Sequence, residues 1–321
     1  MRSTFLWLLL GVQLAYGVDG TVINRTTGKP QPGASLLLMT VGPSGPQAAG
    51  VARADAQGNF RIEAAAQGPQ VLQTTYSGVT YSQMLPPGSP TSNIEVVVYD
   101  PTSKAGTAQV LQHMVLLEPA GQQLSVNETV IFRNQSKLTY FDAENGTFRF
   151  VLPAAAEGKV RVLATAPGGM PVERPASKTG KPGVYKIEFP IKPGETNVEL
   201  TYAVPLGSPA RFSGRVLHTE GPTRLVAPVG VTLQGAGVER VGQEPRTQAT
   251  IYGIKGTSYQ VEIQGTAAPR ASQPAAEEES GPTIDQIAPP GYDDRRWVVL
   301  GLVVATLLLG FALHYRRRSK T

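Results

Sequence analysis

The 321-residue chain contains no cysteine, only two tryptophans and only three histidines. Without cysteine there can be no disulfide, thiolate nucleophile, iron–sulfur cluster, cysteine-ligated zinc or cysteine-linked lipid anchor. Neither tryptophan offers a ligand-stacking face, because Trp7 falls in an N-terminal apolar run and Trp297 opens a C-terminal one. His314 adjoins that second run, so a metal site or general base in the rest of the chain would have to draw on His113 and His218. Each reads as an ordinary strand or surface residue, since a functional imidazole comes with a second ligand, a nucleophile or an orienting carboxylate. The chain also lacks a G-x-S-x-G elbow and a Ser-x-x-Lys pair at a helix start. No catalytic residue, metal ligand or cofactor site is therefore expected, and the expected protein is not an enzyme.

What is present brackets the chain at both ends. Arg2 precedes an apolar run from Phe5 to Val12, and Ala15-Tyr16-Gly17 supplies small residues at the two positions a signal peptidase reads. Residues 1–17 are thus expected to be an export signal. Trp297 to Tyr315 holds no charged residue, and at about 1.5 Å per residue it would extend to roughly 28 Å, close to a bilayer's hydrocarbon thickness. Arg316, Arg317, Arg318 and Lys320 follow it, whereas only Arg295 and Arg296 precede it. The excess of basic residues keeps that tail (316–321) inside the cytoplasm and places the body of the chain outside. No L-P-x-T-G or P-E-P type motif precedes the span, where the chain reads Ile287-Ala288-Pro289-Pro290-Gly291-Tyr292. The segment is therefore expected to stay as a single-pass anchor in the cytoplasmic membrane.

The net charge of +5 resembles a nucleic-acid signature until it is placed along the chain. Arg2 and the four tail residues account for five of the 29 basic residues, leaving 24 against 24 acidic ones in the exported part. That part is formally neutral and has no basic block interleaved with aromatics, so no nucleic-acid partner is expected. An exported, cysteine-free chain rich in Gly (35) and Pro (27) has a bacterial composition, because small animal ectodomains rely on disulfides. Asn24, Asn127, Asn134 and Asn145 each begin an N-x-S/T triplet. In a bacterial protein these read as turn chemistry rather than as glycosylation sites.

Between the ends, short alternating runs punctuated by Gly, Pro and Asn-Gly read as strands, for example Thr147-Phe148-Arg149-Phe150-Val151-Leu152 and Asn197-Val198-Glu199-Leu200-Thr201-Tyr202. The expected fold class is all-β, with tandem antiparallel β-sandwich units followed by a single transmembrane helix. Three units are expected, at residues 18–101, 102–206 and 207–265, then a Pro/Ala/Glu-rich stalk at 266–296 and the span at 297–315. The third unit, 59 residues without cysteine, is small for an independent core and is expected to lean on the second.

In the first unit Asp19-Gly20-Thr21-Val22-Ile23 is followed by Thr27-Gly28-Lys29-Pro30-Gln31-Pro32-Gly33-Ala34 and then by Asp55-Ala56-Gln57-Gly58-Asn59-Phe60. An opening G-x-V strand, a T-G-x-P-x-P-G-A turn and a D-x-x-G-x-F hairpin turn resemble the carboxypeptidase regulatory-like domain family, over about a quarter of the chain. The resemblance implies a seven-stranded transthyretin-like sandwich, a non-catalytic module sometimes grouped with carbohydrate-binding-like folds. Phe60 would then point into the core and Gly58 would serve the hairpin. No named family is recognised in the remainder.

Within this unit Tyr76 and Tyr81 are the candidate ligand-binding residues, as a sugar-stacking face, with Tyr99 as a third aromatic. Asp55, Asn59 and Asp100 could suggest calcium, but their spacing matches no EF-hand loop. The expected function is non-catalytic binding or scaffolding in a bacterial cell envelope, with an envelope protein as partner. Carbohydrate binding is the alternative. An enzyme is the third reading, and it would require polar groups converging on His113 or His218 in a pocket.

Overall fold

The computed structural model describes residues 17–267 apart from 44 and 65–67. The expected signal segment 1–16 and everything from 268 on, including the stalk and the span 297–315, lie outside the described residues. Among those described, no helix is long and apolar enough to cross a membrane. The fold is all-β, built of largely antiparallel sheets.

The N-terminal sandwich comprises β1 (Gly17–Asn24), β2 (Lys29–Pro30), β3 (Ser35–Gly42), β4 (Gly45–Arg53), β5 (Asn59–Glu63), β6 (Gln70–Tyr76), β7 (Val79–Leu85) and β8 (Ile94–Val98). One sheet centres on β1, which pairs antiparallel with β2 and β5 and parallel with β8; the other runs β4-β3-β6-β7. Alternation drives the two together: Val18, Val22, Leu38, Phe60, Ile62 and Leu72 all face the shared core. Two glycines in the sequence motifs have steric reasons. A Cβ on Gly20 would stand 1.9 Å from the Ile94 carbonyl oxygen of the adjoining β8. Gly58 has φ +78° and abuts the Val22 carbonyl oxygen; its turn is not the expected hairpin, because it carries the chain from β4 in one sheet to β5 in the other. Phe60 is buried.

The chain then forms β9 (Pro101–Thr102), β10 (Gln109–Ala120), β11 (Gln123–Asn134), β12 (Thr139–Tyr140), β13 (Phe148–Val151), β14 (Arg161–Thr165) and β15 (Val172–Glu173). β16 (Ser177–Lys178), β17 (Val184–Ile187) and β18 (Gly194–Pro205) come next, then β19 (Arg211–Arg215), β20 (Thr223–Ala227), β21 (Val231–Gln234), β22 (Val238–Gln243), β23 (Thr250–Ile254) and β24 (Ser258–Gly265). An eight-stranded sheet runs β15-β14-β18-β11-β10-β20-β23-β22, and the smaller sheets β13-β17-β16 and β19-β24-β21 pack with it. β10 and β20 pair in parallel, His113 with Thr223 through Leu116 with Val226. One sheet and one apolar cluster therefore run across Leu206-Gly207, joining residues 109–205 to 211–265. The local sequence pattern and the structure differ at two points. Gln123–Val126 and Thr129–Arg133, which look like two strands, are one strand, because Asn127 and Glu128 keep the alternation. Among strands of five or more residues, three carry no clear signal in the pattern: β4, none of whose residues is fully buried, and β20 and β22.

A polar seam joins the N-terminal sandwich to the C-terminal sheets. β9 pairs in parallel with β12, and the Tyr81 hydroxyl, buried, meets the Thr139 hydroxyl at 2.9 Å while donating to the Tyr99 carbonyl at 2.9 Å. The triplets at Asn24 and Asn134 serve this seam. Each asparagine Oδ1 accepts from the backbone N–H two residues on, at Thr26 (2.9 Å) and Ser136 (3.0 Å). The Asn24 amide donates to Asp100 (2.6 Å), the Asn134 amide to the Leu138 and Ile191 carbonyls, and Thr26 Oγ1 to the Lys137 carbonyl. Both asparagines are buried turn-formers.

Because β20, β22 and β23 complete their hydrogen bonding only through β10, residues 207–265 expressed alone should show no cooperative thermal transition. A transition matching that of the fragment 102–265 would contradict this coupling.

Candidate functional site

The buried titratable cluster begins with a strand phase. On β11 the inward positions are Leu124, Val126, Glu128, Val130 and Phe132, so the alternation that builds the core also carries a carboxylate into it. On β18 the inward set includes Val198, Leu200 and Tyr202, with Tyr202 opposite Val126. On β10 a bulge between Val110 and Gln112 shifts the phase, so that both Val110 and His113 face inward, and His113 lies opposite Val130. Neighbouring strands thereby set His113, Glu128 and Tyr202 on one face. His218 arrives from the loop between β19 and β20, whose end is held by the His113 N–H donating to the Pro222 carbonyl at 3.0 Å.

The four side chains form a line. The Tyr202 hydroxyl lies 2.6 Å from Glu128 Oε1, Glu128 Oε2 lies 2.8 Å from His113 Nε2, His113 Nδ1 lies 2.9 Å from His218 Nε2, and His218 Nδ1 lies 3.0 Å from the Glu220 carbonyl oxygen. His113, Glu128 and Tyr202 are 5%, 8% and 5% exposed. The protons can be counted from the Glu220 end, because a backbone carbonyl only accepts. His218 therefore carries its proton on Nδ1. Burial, and secondarily His113, hold the His218 pKa below the ordinary imidazole range, which keeps its Nε2 bare as an acceptor. His113 must then donate from Nδ1. The proton in the next bond rests on His113 Nε2 or on Glu128, and either way the pair is neutral overall. Tyr202 donates to Glu128; burial first, then the Glu128 charge, raise the Tyr202 pKa. Tyr259 is likewise raised by burial and then by Glu128. Every ring nitrogen and both carboxylate oxygens are thus engaged within the cluster.

A cavity of about 180 Å3 adjoins the line, with Ser213, Arg215 and Tyr259 among its walls. No hydrogen bond links Ser213 to His113 among the described residues, and no group of three or more His, Cys, Asp or Glu there could hold a metal ion. The structure thus brings together two histidines that fall in separate units of the sequence, and adds Glu128 and Tyr202, which no motif singles out. The available signal was Glu128 itself, a charged residue in the apolar phase of L-S-V-N-E-T-V-I-F.

The sequence-derived ligand residues lie elsewhere. Tyr81 is 7% exposed; Lys192 covers its ring, with Nζ 4.7 Å from the centroid, and donates to the Thr80 carbonyl at 2.7 Å. Tyr76 is half-buried and donates to Asp100 at 2.8 Å. Tyr76 packs against the core of the N-terminal sandwich. Tyr81 and Tyr99 do line an open groove of about 610 Å3 together with Arg25, Glu95, Lys192 and Pro193. Asp55 caps its own turn by accepting from Gln57 N–H (2.9 Å) and Asn59 N–H (2.8 Å), while Asp100 accepts from Asn24 and Tyr76.

Both polar arrangements can be tested through stability. A folded-state pKa below the unfolded value means that the stabilising contribution of His218 is present above the ordinary imidazole pKa of about 6.5 and is lost as pH falls towards the depressed value. The thermal midpoint should therefore drop between about pH 7 and pH 5, and His218→Gln should flatten that limb; an unchanged limb would contradict the proton count. Tyr81→Phe, which strands the Thr139 hydroxyl and the Tyr99 amide, should cost about 1–3 kcal/mol in denaturant unfolding, and a loss near zero would show that the seam is not stabilising.

No family model matches the chain, and no curated protein does. Among solved structures, an M1 zinc metallopeptidase from Deinococcus radiodurans and a mutant of it are similar over 49% of this chain and 42% of theirs, at 13% and 14% identity and TM-scores of 0.26 and 0.28. The match thus spans less than half the length of those chains, and at such scores it carries no argument about this one.

Proposed function

We propose that the chain is a membrane-anchored, extracytoplasmic binding or scaffolding protein of a bacterial cell envelope, without catalytic activity of its own. In this reading residues 1–17 direct export, 297–315 anchor the chain in the cytoplasmic membrane and Arg316–Arg318 with Lys320 hold the tail inside. The N-terminal sandwich serves as a carboxypeptidase regulatory-like module, in keeping with the steric roles of Gly20 and Gly58.

The observation that carries the reading is the free edge of β4. This nine-residue strand pairs with β3 alone among the described residues, has no charged side chain from Gly45 to Ala52, and leaves Val51 75% exposed. Sheet edges are blunted by charge, proline and bulges; β4 has Pro46 and a bulge in its pairing with β3 but no charge before Arg53, and an edge without charge is a template for adding an extended segment of another protein. The cluster around His113 supports the non-catalytic side of the proposal, since its acid–base groups are spent on one another and none is aimed at a nucleophile.

A photoreactive residue at Gln47 in native membranes should give one discrete protein adduct, weakened by Val51→Lys and untouched by Val241→Lys on the distant edge strand β22. Absence of any adduct, or equal loss with both substitutions, would overturn the proposal.

A further inference from the structure

The seam holds two cations that no carboxylate neutralises among the described residues. Lys192, in the loop between Ile191 and β18, reaches across to the N-terminal sandwich, where one ammonium proton goes to the Thr80 carbonyl and the ring of Tyr81 lies beneath it. No ion pair involves Lys192 among the described residues. Its charged neighbour is another cation, Arg174, whose guanidinium lies 5.3 Å from the Phe189 ring centroid and whose Nε is buried without a hydrogen-bond partner. An ammonium withdrawn from water is costly unless an opposite charge meets it.

Lys192 also lines the groove of about 610 Å3, which falls within the roughly 300–1,000 Å3 of small-molecule sites. The other charged groups lining that groove are Arg25 and Glu95, and they pair with each other at 2.8 Å. Arg25 balances Glu95, and Lys192 leaves the lining with one positive charge in excess.

We propose that this groove is an anion site: an oxyanion, carboxylate or phosphate, on a ligand of about monosaccharide size binds against the Lys192 ammonium, with Tyr99 and Pro193 among the groove walls. The bound anion supplies the counter-charge that the fold omits, and the fixed seam places the ammonium before the ligand arrives. Burial, then Arg174, lower the Lys192 pKa to about 8, so the empty site still carries its charge at neutral pH and surrenders it in mild alkali. The site is separate from the β4 edge, which lies at the opposite side of the sheet from β7, and either proposal can fail alone.

The test is calorimetric titration of the full chain in nonionic detergent with D-glucuronate, inorganic phosphate and, as the neutral control, D-glucose. Saturable binding of glucuronate or phosphate, without glucose binding, is expected, and whichever anion binds identifies the source of the oxyanion. Lys192→Gln should weaken binding at least tenfold and Lys192→Arg should retain it. Lys159→Gln, on an exposed lysine paired with Glu157, should change nothing. Glucuronate affinity should fall about tenfold per pH unit above 8, as the competent protonated fraction falls. This limb keeps the test decisive should Lys192→Gln fold poorly, because the other charged or titratable neighbours are tyrosines, arginines and a carboxylate, classes that ordinarily titrate well away from pH 8. Binding of neither anion, equal binding by glucose, or affinity indifferent to both Lys192→Gln and pH would overturn the proposal.

Discussion

A carboxylate in a β-sheet core must be met by donors, and much of the C-terminal architecture is arranged around meeting the one at Glu128. Strand alternation carries Glu128 inward whether or not its charge is welcome, and an unpaired charge there would cost several kcal/mol. His113 and Tyr202 supply the donors from the two flanking strands. His113 in turn needs a partner for its second nitrogen, and His218 provides it from beyond β19. The polar requirement thus adds a specific tie to the same contact that the parallel β10–β20 pairing makes through the backbone. Hydrophobic burial alone is non-directional; this line of hydrogen bonds accepts only one register of the two segments.

The seam that joins the N-terminal sandwich works by the same logic, with buried amides and hydroxyls among its groups. Asn24 and Asn134 each close a local turn with Oδ1 and spend the amide protons on their own side of the seam, and the two turns are then joined by Thr26 Oγ1 donating to the Lys137 carbonyl. Tyr81 and Lys192 then close the remaining gap, the one with its hydroxyl and the other by laying its ammonium on the tyrosine ring. The N-terminal sandwich is held by many directional contacts, which is what a module needs if it is to present a groove and a strand edge in constant geometry.

The all-β character was legible because period-two alternation survives in almost every long strand, and the glycines of the G-x-V strand and the D-x-x-G-x-F turn stand where steric need requires them, although that turn links two sheets and does not close a hairpin. Asn24, Asn134 and Asn145 were legible as turns from residue type, whereas Asn127 lies in the middle of β11; that Asn24 and Asn134 belong to one seam was not legible, since it requires knowing that the segments after them meet. β4 was illegible because a sheet edge with both faces largely open has no apolar phase. The buried cluster was hidden for a related reason. Asn127-Glu128 looks like an interruption between two short strands, which removes Glu128 from the inward residues, and His113 and His218 stand 105 residues apart with nothing local to pair them. Tyr81 was ambiguous in another way: an aromatic in a strand reads equally well as core or as ligand face, and the lysine laid on its ring comes from a distant loop.

The tautomeric state of the two histidines, read from side-chain 15N shifts in the folded protein near neutral pH, tests the buried line most directly. The hydrogen bonds require neutral His218 with the proton on Nδ1 and a bare Nε2, and a His113 protonated at Nδ1. A His218 protonated at Nε2 with a bare Nδ1, or an imidazolium at both rings, would show that the line of four hydrogen bonds does not exist as described.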